Sequence, residues 1–233
     1  MKTYFELKNF SFSFDSQGPL FFDNIMLRIE KSGLTCIVGK NGIGKSTFFR
    51  LLQGILRPGE KISGLLHINE HLYDLSREQD RYALHQRSII LYQNFDRMLA
   101  PSFTGWQNLS FAQFPTFPTL SSVPALTHTT SLTQRFSIPL DRQVKLLSGG
   151  QRQMLAMLMV TQKPIDLLLL DEPTAALDDD NSDYVMQGLV SLVQEKNISV
   201  LCVLHDHVMV DRYAKNLIKI SQDEQGKRTL TLM

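Results

Sequence analysis

The residues with the clearest chemical potential lie in a glycine-rich segment, GKNGIGKST, at positions 39–47. The segment fits the phosphate-loop pattern G-x-x-x-x-G-K-[ST] in full and directly follows a short apolar run. Its glycines let backbone N–H groups point at phosphate oxygens, and the helix expected after it adds a positive N-terminal end. Lys45 supplies a cation for the β- and γ-phosphates of a nucleotide, and the Ser46 hydroxyl is a ligand for Mg²⁺.

The alternative for this segment is an ordinary glycine-rich turn between a strand and a helix. The apolar run before the segment and the helical pattern after it favour a nucleotide-binding loop instead. The candidate nucleotide-binding residues are therefore Gly39, Lys40, Asn41, Gly42, Ile43, Gly44, Lys45, Ser46 and Thr47.

A second chemical feature is the string DLLLLDEP at 166–173, in which four leucines precede two carboxylates. A buried strand of this kind places Asp171 and Glu172 at the carboxyl edge of a sheet, where the phosphate loop also emerges. Asp171 is then placed to hold Mg²⁺, and Glu172 to polarise the water that attacks the γ-phosphate. Alone, such a string is also typical of a solvated strand end; its pairing with a phosphate loop indicates a catalytic edge.

The third feature is LSGGQ at 147–151. Ser148 has the character of a helix N-cap, and the glycines after it open a helix whose amides are free to meet an anion. A simple helix cap after a flexible turn is the alternative interpretation. A second anion-binding helix start is useful if it closes over the γ-phosphate held by another subunit. The candidate residues here are Ser148, Gly149, Gly150 and Gln151.

The elements that must position these motifs alternate between strands and helices. Strands are predicted at 3–14, 21–30, 34–38, 89–92, 166–170 and 199–204, with a β-hairpin at 62–75. Helices are predicted at 47–56, 149–160 and about 180–196. This alternation indicates an α/β fold with a mostly parallel sheet covered by helices.

Composition narrows the possible functions. Apolar residues make up 43% of the chain and charged residues 20%, which excludes the composition of a disordered chain. The formal net charge of +1 gives no global field for nucleic acid or anionic lipid, so any anion must be held locally. Cys36 and Cys202 each lie in an apolar run, which predicts buried, reduced thiols and a cytosolic protein. No run approaches the ~18 apolar residues of a membrane span.

The amino-acid composition changes between Met98 and Gln134, a stretch without Asp, Glu, Lys or Arg. It is rich in Phe, Ser, Thr and Pro, which indicates a separate subdomain or a contact surface; disorder at 115–130 is the alternative. Its aromatic residues could form a small core of their own or a docking surface, and we expect one or two of them to dock a partner. These aromatic residues are Phe103, Trp106, Phe111, Phe114 and Phe117.

In these motifs and in their order the chain resembles the ATP-binding cassette (ABC) ATPases over essentially its whole length. The resemblance implies a P-loop NTPase (RecA-like) core with an N-terminal antiparallel β-subdomain and an inserted helical subdomain. It implies one nucleotide-binding domain over 1–233. The ATP-binding core and β-subdomain would occupy 1–92 and 160–233, and the glutamine loop, helical subdomain and signature would occupy 93–159.

The resemblance also implies roles for individual residues. Phe14 would stack on adenine, although the family often has Tyr there and a core strand residue is the alternative. Gln93 would sense Mg²⁺ and the attacking water, Asp178 would contact the other subunit, and His205 would reach the γ-phosphate. Ala175 stands where serine is common, which puts one hydrogen bond in doubt. The remaining histidines carry no motif and are expected at the surface.

The implied function is ATP hydrolysis, with Mg²⁺, in a head-to-tail dimer that energises transport through a separate membrane permease at the cytoplasmic face of the inner or plasma membrane. The pattern QNFDRMLAPSFTGWQNLSFA at 93–112 is similar to ATPases of importers that use tryptophan- or tyrosine-type substrate-binding proteins. This would add an extracytoplasmic substrate-binding protein as an indirect partner, and no nucleic acid. The alternative is an ABC ATPase that serves as an assembly or scaffold factor without a permease. DNA-repair and translation cassettes are disfavoured, since their long coiled-coil insertions or second cassette are absent.

Overall fold

Most of the predicted strands are present in the structure. The computed structural model describes residues 5–29, 33–92, 95–113, 137–175, 177–196, 198–223 and 226–233. Its strands are β1 (Phe5–Ser13), β2 (Phe22–Ile29), β3 (Thr35–Val38), β4 (Lys61–Ile68), β5 (His71–Asp74), β6 (Ser88–Leu91), β7 (Leu167–Asp171), β8 (Ser199–Val203), β9 (Asn216–Gln222) and β10 (Arg228–Leu232).

The helices lie between these strands in the chain. They are α1 (Lys45–Leu52), α2 (Glu78–Arg87), α3 (Gly105–Gln113), α4 (Gly149–Val160), α5 (Asp179–Lys196) and α6 (His207–Tyr213), with short 3₁₀ helices at Phe95–Met98 and Val144–Leu146. None of the helices in these described ranges is long and apolar enough to cross a membrane.

The strands of the described ranges join in one sheet of ten, in the order β5-β4-β1-β2-β10-β9-β3-β8-β7-β6. The β4–β1–β2 part is antiparallel, as expected for the N-terminal β-subdomain, and β9, β3, β8, β7 and β6 run parallel. Leu168 and Leu170 of β7 face one buried cluster, and Leu167 and Leu169 face the other. Both faces of the parallel half are therefore covered, which explains the unbroken leucine run.

Most predicted elements are confirmed within two residues, and the signature helix agrees with α4 at both ends. The end predicted for the first helix, Leu56, is wrong. Helix α1 ends at Leu52 because Gly54 adopts φ 72°, and the Gly54 and Ile55 amides bond to the carbonyls of Leu51 and Arg50. This is a Schellman cap, which Gly54 permits without strain.

Cys36 and Cys202 are buried, unbridged and neighbours in register on β3 and β8, as predicted for reduced thiols. Burial raises the pKa of the Cys36 thiol to about 12. The stretch without charged residues contains α3, from which Trp106 packs against the core. Phe103 and Phe111 are exposed and meet edge to face with ring centroids 5.3 Å apart. The predictions for Phe114, Phe117 and residues 115–130 concern positions that lie outside the described residues.

Candidate functional site

The phosphate loop connects β3 to α1, as its sequence predicts. Gly42 and Gly44 adopt φ values of 77° and 115°, which L side chains rarely adopt. A Cβ added to Gly44 would also lie 2.6 Å from Cε1 of Phe21, so glycine is required there by both backbone angle and space. The loop is thereby bent into a cradle that ends at the positive N-terminus of α1.

Lys45 lies across this cradle. Its Nζ donates to the carbonyl of Gly39 at 2.7 Å and to that of Lys40 at 3.2 Å. Burial lowers the pKa of Lys45, while the carboxylates of Glu172 and Asp171 act in the opposite direction. The ammonium is thus held inside the loop and opposite two acids, where it can pair with phosphate oxygens.

The carboxyl end of β7 faces the loop and carries the acidic pair. Ser46 Oγ lies 3.3 Å from Asp171 Oδ2, which places a hydroxyl and a carboxylate oxygen side by side. Burial raises the pKa of Asp171 and the charge of Glu172 adds to this rise, while Ser46, Lys45 and His205 oppose it. These oxygen donors fit Mg²⁺, which typically uses one or two protein ligands together with phosphates and water.

Glu172 has a backbone conformation that non-glycine residues rarely adopt, with φ 54°. Its N–H donates to the carbonyl of Val203 at 3.1 Å, which fixes the residue against the end of β8. His205 follows β8, and its Nε2 lies 2.9 Å from Oε1 of Glu172. The predicted base and the predicted histidine are therefore in direct contact.

The phosphate loop and the acidic pair share a cavity of about 620 Å³. It is lined by loop residues with Asp171 and Glu172, and also by Tyr92 and Arg97, which flank the predicted Gln93. Sequence reasoning missed Tyr92 and Arg97 because neither belongs to a motif; Arg97, the last charge before the uncharged stretch, was the available signal. Gln93 itself lies outside the described residues, so its proposed role stays a prediction.

The signature begins α4 as predicted. Ser148 caps the helix in a reciprocal capping box: Gln151 N–H donates to Ser148 Oγ at 3.2 Å, and Ser148 N–H donates to Gln151 Oε1 at 3.0 Å. None of residues 148–151 lines the cavity at the phosphate loop.

Asp178 is linked to the signature through Asn181, a residue that sequence reasoning missed. Asp178 Oδ1 accepts from the backbone N–H of Asn181 and from its Nδ2, both at 2.8 Å. Ser148 Oγ lies 3.4 Å from Asn181 Oδ1. A Cβ on Gly150 would lie 2.7 Å from the same oxygen, so this glycine leaves room for the bridge.

Phe14 lies apart from the phosphate cradle. Its ring is 48% exposed and lines a second cavity of about 590 Å³, together with Phe21 and Arg228. The ring meets Phe21 edge to face with centroids 4.8 Å apart, and Phe21 in turn packs against Gly44. An exposed aromatic ring that is separated from the loop by one side chain, that of Phe21, is compatible with base stacking.

Comparison with known proteins identifies relatives over most of the chain. The family model described as "ABC transporter" matches residues 22–175. A tyrosine transport ATP-binding protein of Clostridioides difficile is 32% identical, over 94% of this chain and 89% of that protein. A probable iron chelatin transport ATP-binding protein of Helicobacter pylori is 28% identical, over 92% and 82% respectively.

A solved structure has the same fold. The structure of cbiO1 from Clostridium perfringens, described as part of the ABC transporter complex cbiONQ, superposes with a TM-score of 0.75. It is 27% identical and covers 94% of this chain and 85% of its own.

Proposed function

The chain is an ATP-binding ATPase of the ABC transporter family, and from this membership we propose that two copies close head to tail on ATP and drive transport through a separate permease. One observation carries the dimer. The phosphate loop and the acidic pair share one cavity, while the signature residues 148–151 do not line it. A second copy would supply the missing signature, so that each nucleotide would lie between two chains.

Within each site the residues have complementary roles in the proposed reaction. Lys45 binds the β- and γ-phosphates, while Ser46 and Asp171 would hold Mg²⁺, which would neutralise negative charge on the nucleotide. Glu172 accepts a hydrogen bond from the attacking water. His205, whose Nε2 lies 2.9 Å from Glu172 Oε1, orients that carboxylate. Phe14 is proposed to stack on adenine, Gln93 to contact Mg²⁺ and water, and Asp178 to contact the other subunit.

The permease is proposed to dock on the exposed aromatic surface of Phe103 and Phe111. These rings are 43% and 45% exposed although they belong to a segment without charged residues. Uncharged aromatic surface buries area without needing an ionic partner, which suits a short membrane-protein helix. Such docking would place the chain at the cytoplasmic face of the membrane.

For the cargo we propose amino-acid-type import with an extracytoplasmic substrate-binding protein. The support is the tyrosine transport protein, which is 32% identical over nearly the whole chain. Other relatives are named for the import of phosphonates and of methionine. The proposed cargo therefore rests on the tyrosine transport protein.

Detergent pull-down of the tagged protein from native membranes, with ATPase assays on the recovered complex, tests this function. We expect a multi-span permease and a turnover above that of the isolated chain. The double variant Phe103→Ser/Phe111→Ser should lose the permease, whereas Tyr82→Ser, which removes a ring 67% exposed on α2, should retain it. Recovery of soluble partners alone would favour an assembly factor and overturn the transport proposal.

A further inference from the structure

The C-terminal hairpin β9–β10 reaches the phosphate loop at two points. At the first residue of the loop, a Cβ on Gly39 would lie 2.7 Å from the carbonyl oxygen of Ile220 on β9. At the middle of the loop, Arg228 Nε donates to the carbonyl of Ile43 at 2.9 Å. No motif of the sequence includes Arg228, and the roles proposed above do not use it.

Arg228 makes a second contact of a different kind. Its guanidinium carbon lies 3.6 Å from the centroid of the Phe21 ring, a close cation–π arrangement. Phe21 presents its edge to Gly44, where an added Cβ would lie 2.6 Å from the ring. Arg228 therefore holds the loop both directly, through Ile43, and indirectly, through the ring that packs on Gly44.

The bond to Ile43 also fixes the direction of the next amide. In a planar trans peptide the C=O of one residue and the N–H of the next point in opposite directions. Because the Ile43 carbonyl points at Arg228, the N–H of Gly44 points away from Arg228. Gly44 lines the phosphate cavity with Lys45 and Ser46, whereas Arg228 lines the separate cavity beside Phe14 and Phe21.

The neighbouring acid Asp23 on β2 pairs with Lys227, whose Nζ lies 2.9 Å from Asp23 Oδ2. Strand β10 itself pairs with β2 through the register Arg228–Phe22. Arg228 thus stands where the hairpin, β2 and the loop meet.

We propose that Arg228 is a positioning residue for phosphate binding, which holds the Ile43–Gly44 peptide so that the Gly44 N–H faces the polyphosphate of the nucleotide. The proposal rests on the ATP site proposed above and adds a residue to it. Arginine suits the position because its planar group stacks on Phe21 while Nε donates, which a lysine cannot reproduce.

The test is calorimetric titration of the protein with ATP and, separately, with inorganic triphosphate, which has no base. For Arg228→Ala we expect the Kd of both ligands to rise about tenfold, equivalent to ~1.4 kcal/mol. Arg228→Lys should weaken both by at least about threefold, since it keeps the charge but not the fork. This second variant serves if the alanine variant does not fold.

The matched control is Arg50→Ala. Arg50 also donates to a carbonyl, that of Ile55 at 3.0 Å, and lies 5.8 Å from the Phe12 ring, but neither contact involves the loop. It should lower the melting temperature without changing the Kd for triphosphate. Unchanged ATP affinity in Arg228→Ala, or weakened ATP with unchanged triphosphate, would overturn the proposal. Absence of ATP binding by the unsubstituted protein would instead overturn the ATP site itself.

Discussion

His205 Nε2 lies 2.9 Å from Glu172 Oε1, so the ends of neighbouring strands β8 and β7 meet through their side chains. The contact is made although Glu172 has φ 54°, and the bond from its N–H to Val203 holds that conformation. Strain of this kind, of order 1–3 kcal/mol, persists where surrounding structure fixes it. The carboxylate is thereby aimed at the cavity before any ligand arrives.

Replacement of this carboxylate should separate binding from hydrolysis. Glu172→Gln keeps the shape of the side chain but removes the base, so we expect hydrolysis to fall roughly 10²–10⁴-fold. ATP binding should persist, and the variant should accumulate as a dimer on ATP. Phosphate release and size-exclusion chromatography measure the two properties, with Glu78→Gln on α2 as the control; turnover equal to that of the unsubstituted protein would remove Glu172 from this role.

Loss of the loop cation should weaken the binding of ATP itself. Lys45→Ala removes an ammonium held against the Gly39 carbonyl at 2.7 Å, inside the phosphate cradle. We expect the Kd for ATP to rise by about tenfold or more, as for a lost charge-assisted hydrogen bond of ~1.5–3 kcal/mol. Calorimetry measures this Kd, and replacement of the exposed Lys61 on β4 by alanine is the control. Equal affinities in the two variants would contradict the assignment of the loop.

Asp171 should cost the folded protein stability at neutral pH. Burial and the charge of Glu172 raise its pKa, so the folded state holds the proton more tightly than the unfolded state. Above the raised pKa the ionised carboxylate therefore destabilises the fold, and the penalty disappears as the pH falls toward the ordinary value of about 3.9.

Asp171→Asn should accordingly raise the melting temperature at pH 8 while it weakens Mg²⁺-dependent hydrolysis. A rise of about 2–4 °C is the shift that ~1 kcal/mol produces in a chain of this length. The gain should narrow as the pH is lowered from 8 toward the ordinary carboxyl pKa of about 3.9, with the exposed Asp141→Asn measured alongside as the control. A lower melting temperature for Asp171→Asn at pH 8 would disprove this account.

Asn181 should couple the signature to Asp178. Its side chain bonds to Asp178 and lies 3.4 Å from Ser148 Oγ, so Asn181→Ala breaks this bridge. The hydrogen bond from the Asn181 backbone N–H to Asp178 Oδ1, in the first turn of α5, is kept. We expect ATPase activity to fall about threefold to tenfold with unchanged ATP affinity. In a double-mutant cycle with Asp178→Ala the losses should not add. Full additivity would show that the bridge carries no function.

The sequence predicted those parts of the fold that local chemistry determines. Ser148 and Gln151 form a capping box three residues apart, and α4 begins where that signal places it. Helix α2 was missed because only Leu84 of its ten residues is buried, so it has no apolar stripe to detect. Strands β9 and β10 were also not predicted.

Contacts between distant parts of the chain could not be predicted from sequence. Arg228 and Ile43 are 185 positions apart, and only the order of strands in the sheet brings them together. The same holds for the left-handed backbone of Glu172, which depends on the neighbouring end of β8. The motif residues identified the chemistry, whereas the residues that hold them in place have no motif.

The paired thiols of Cys36 and Cys202 are an internal probe of how often the centre of the sheet opens. They lie in register on the strands that lead to the phosphate loop and to His205. Since only the thiolate reacts, and burial raises the pKa of Cys36 to about 12, a maleimide can modify them only when the centre of the sheet opens. The alkylation rate of the untouched protein therefore reports how often these strands separate, and slower alkylation with ATP would report how firmly nucleotide holds them shut.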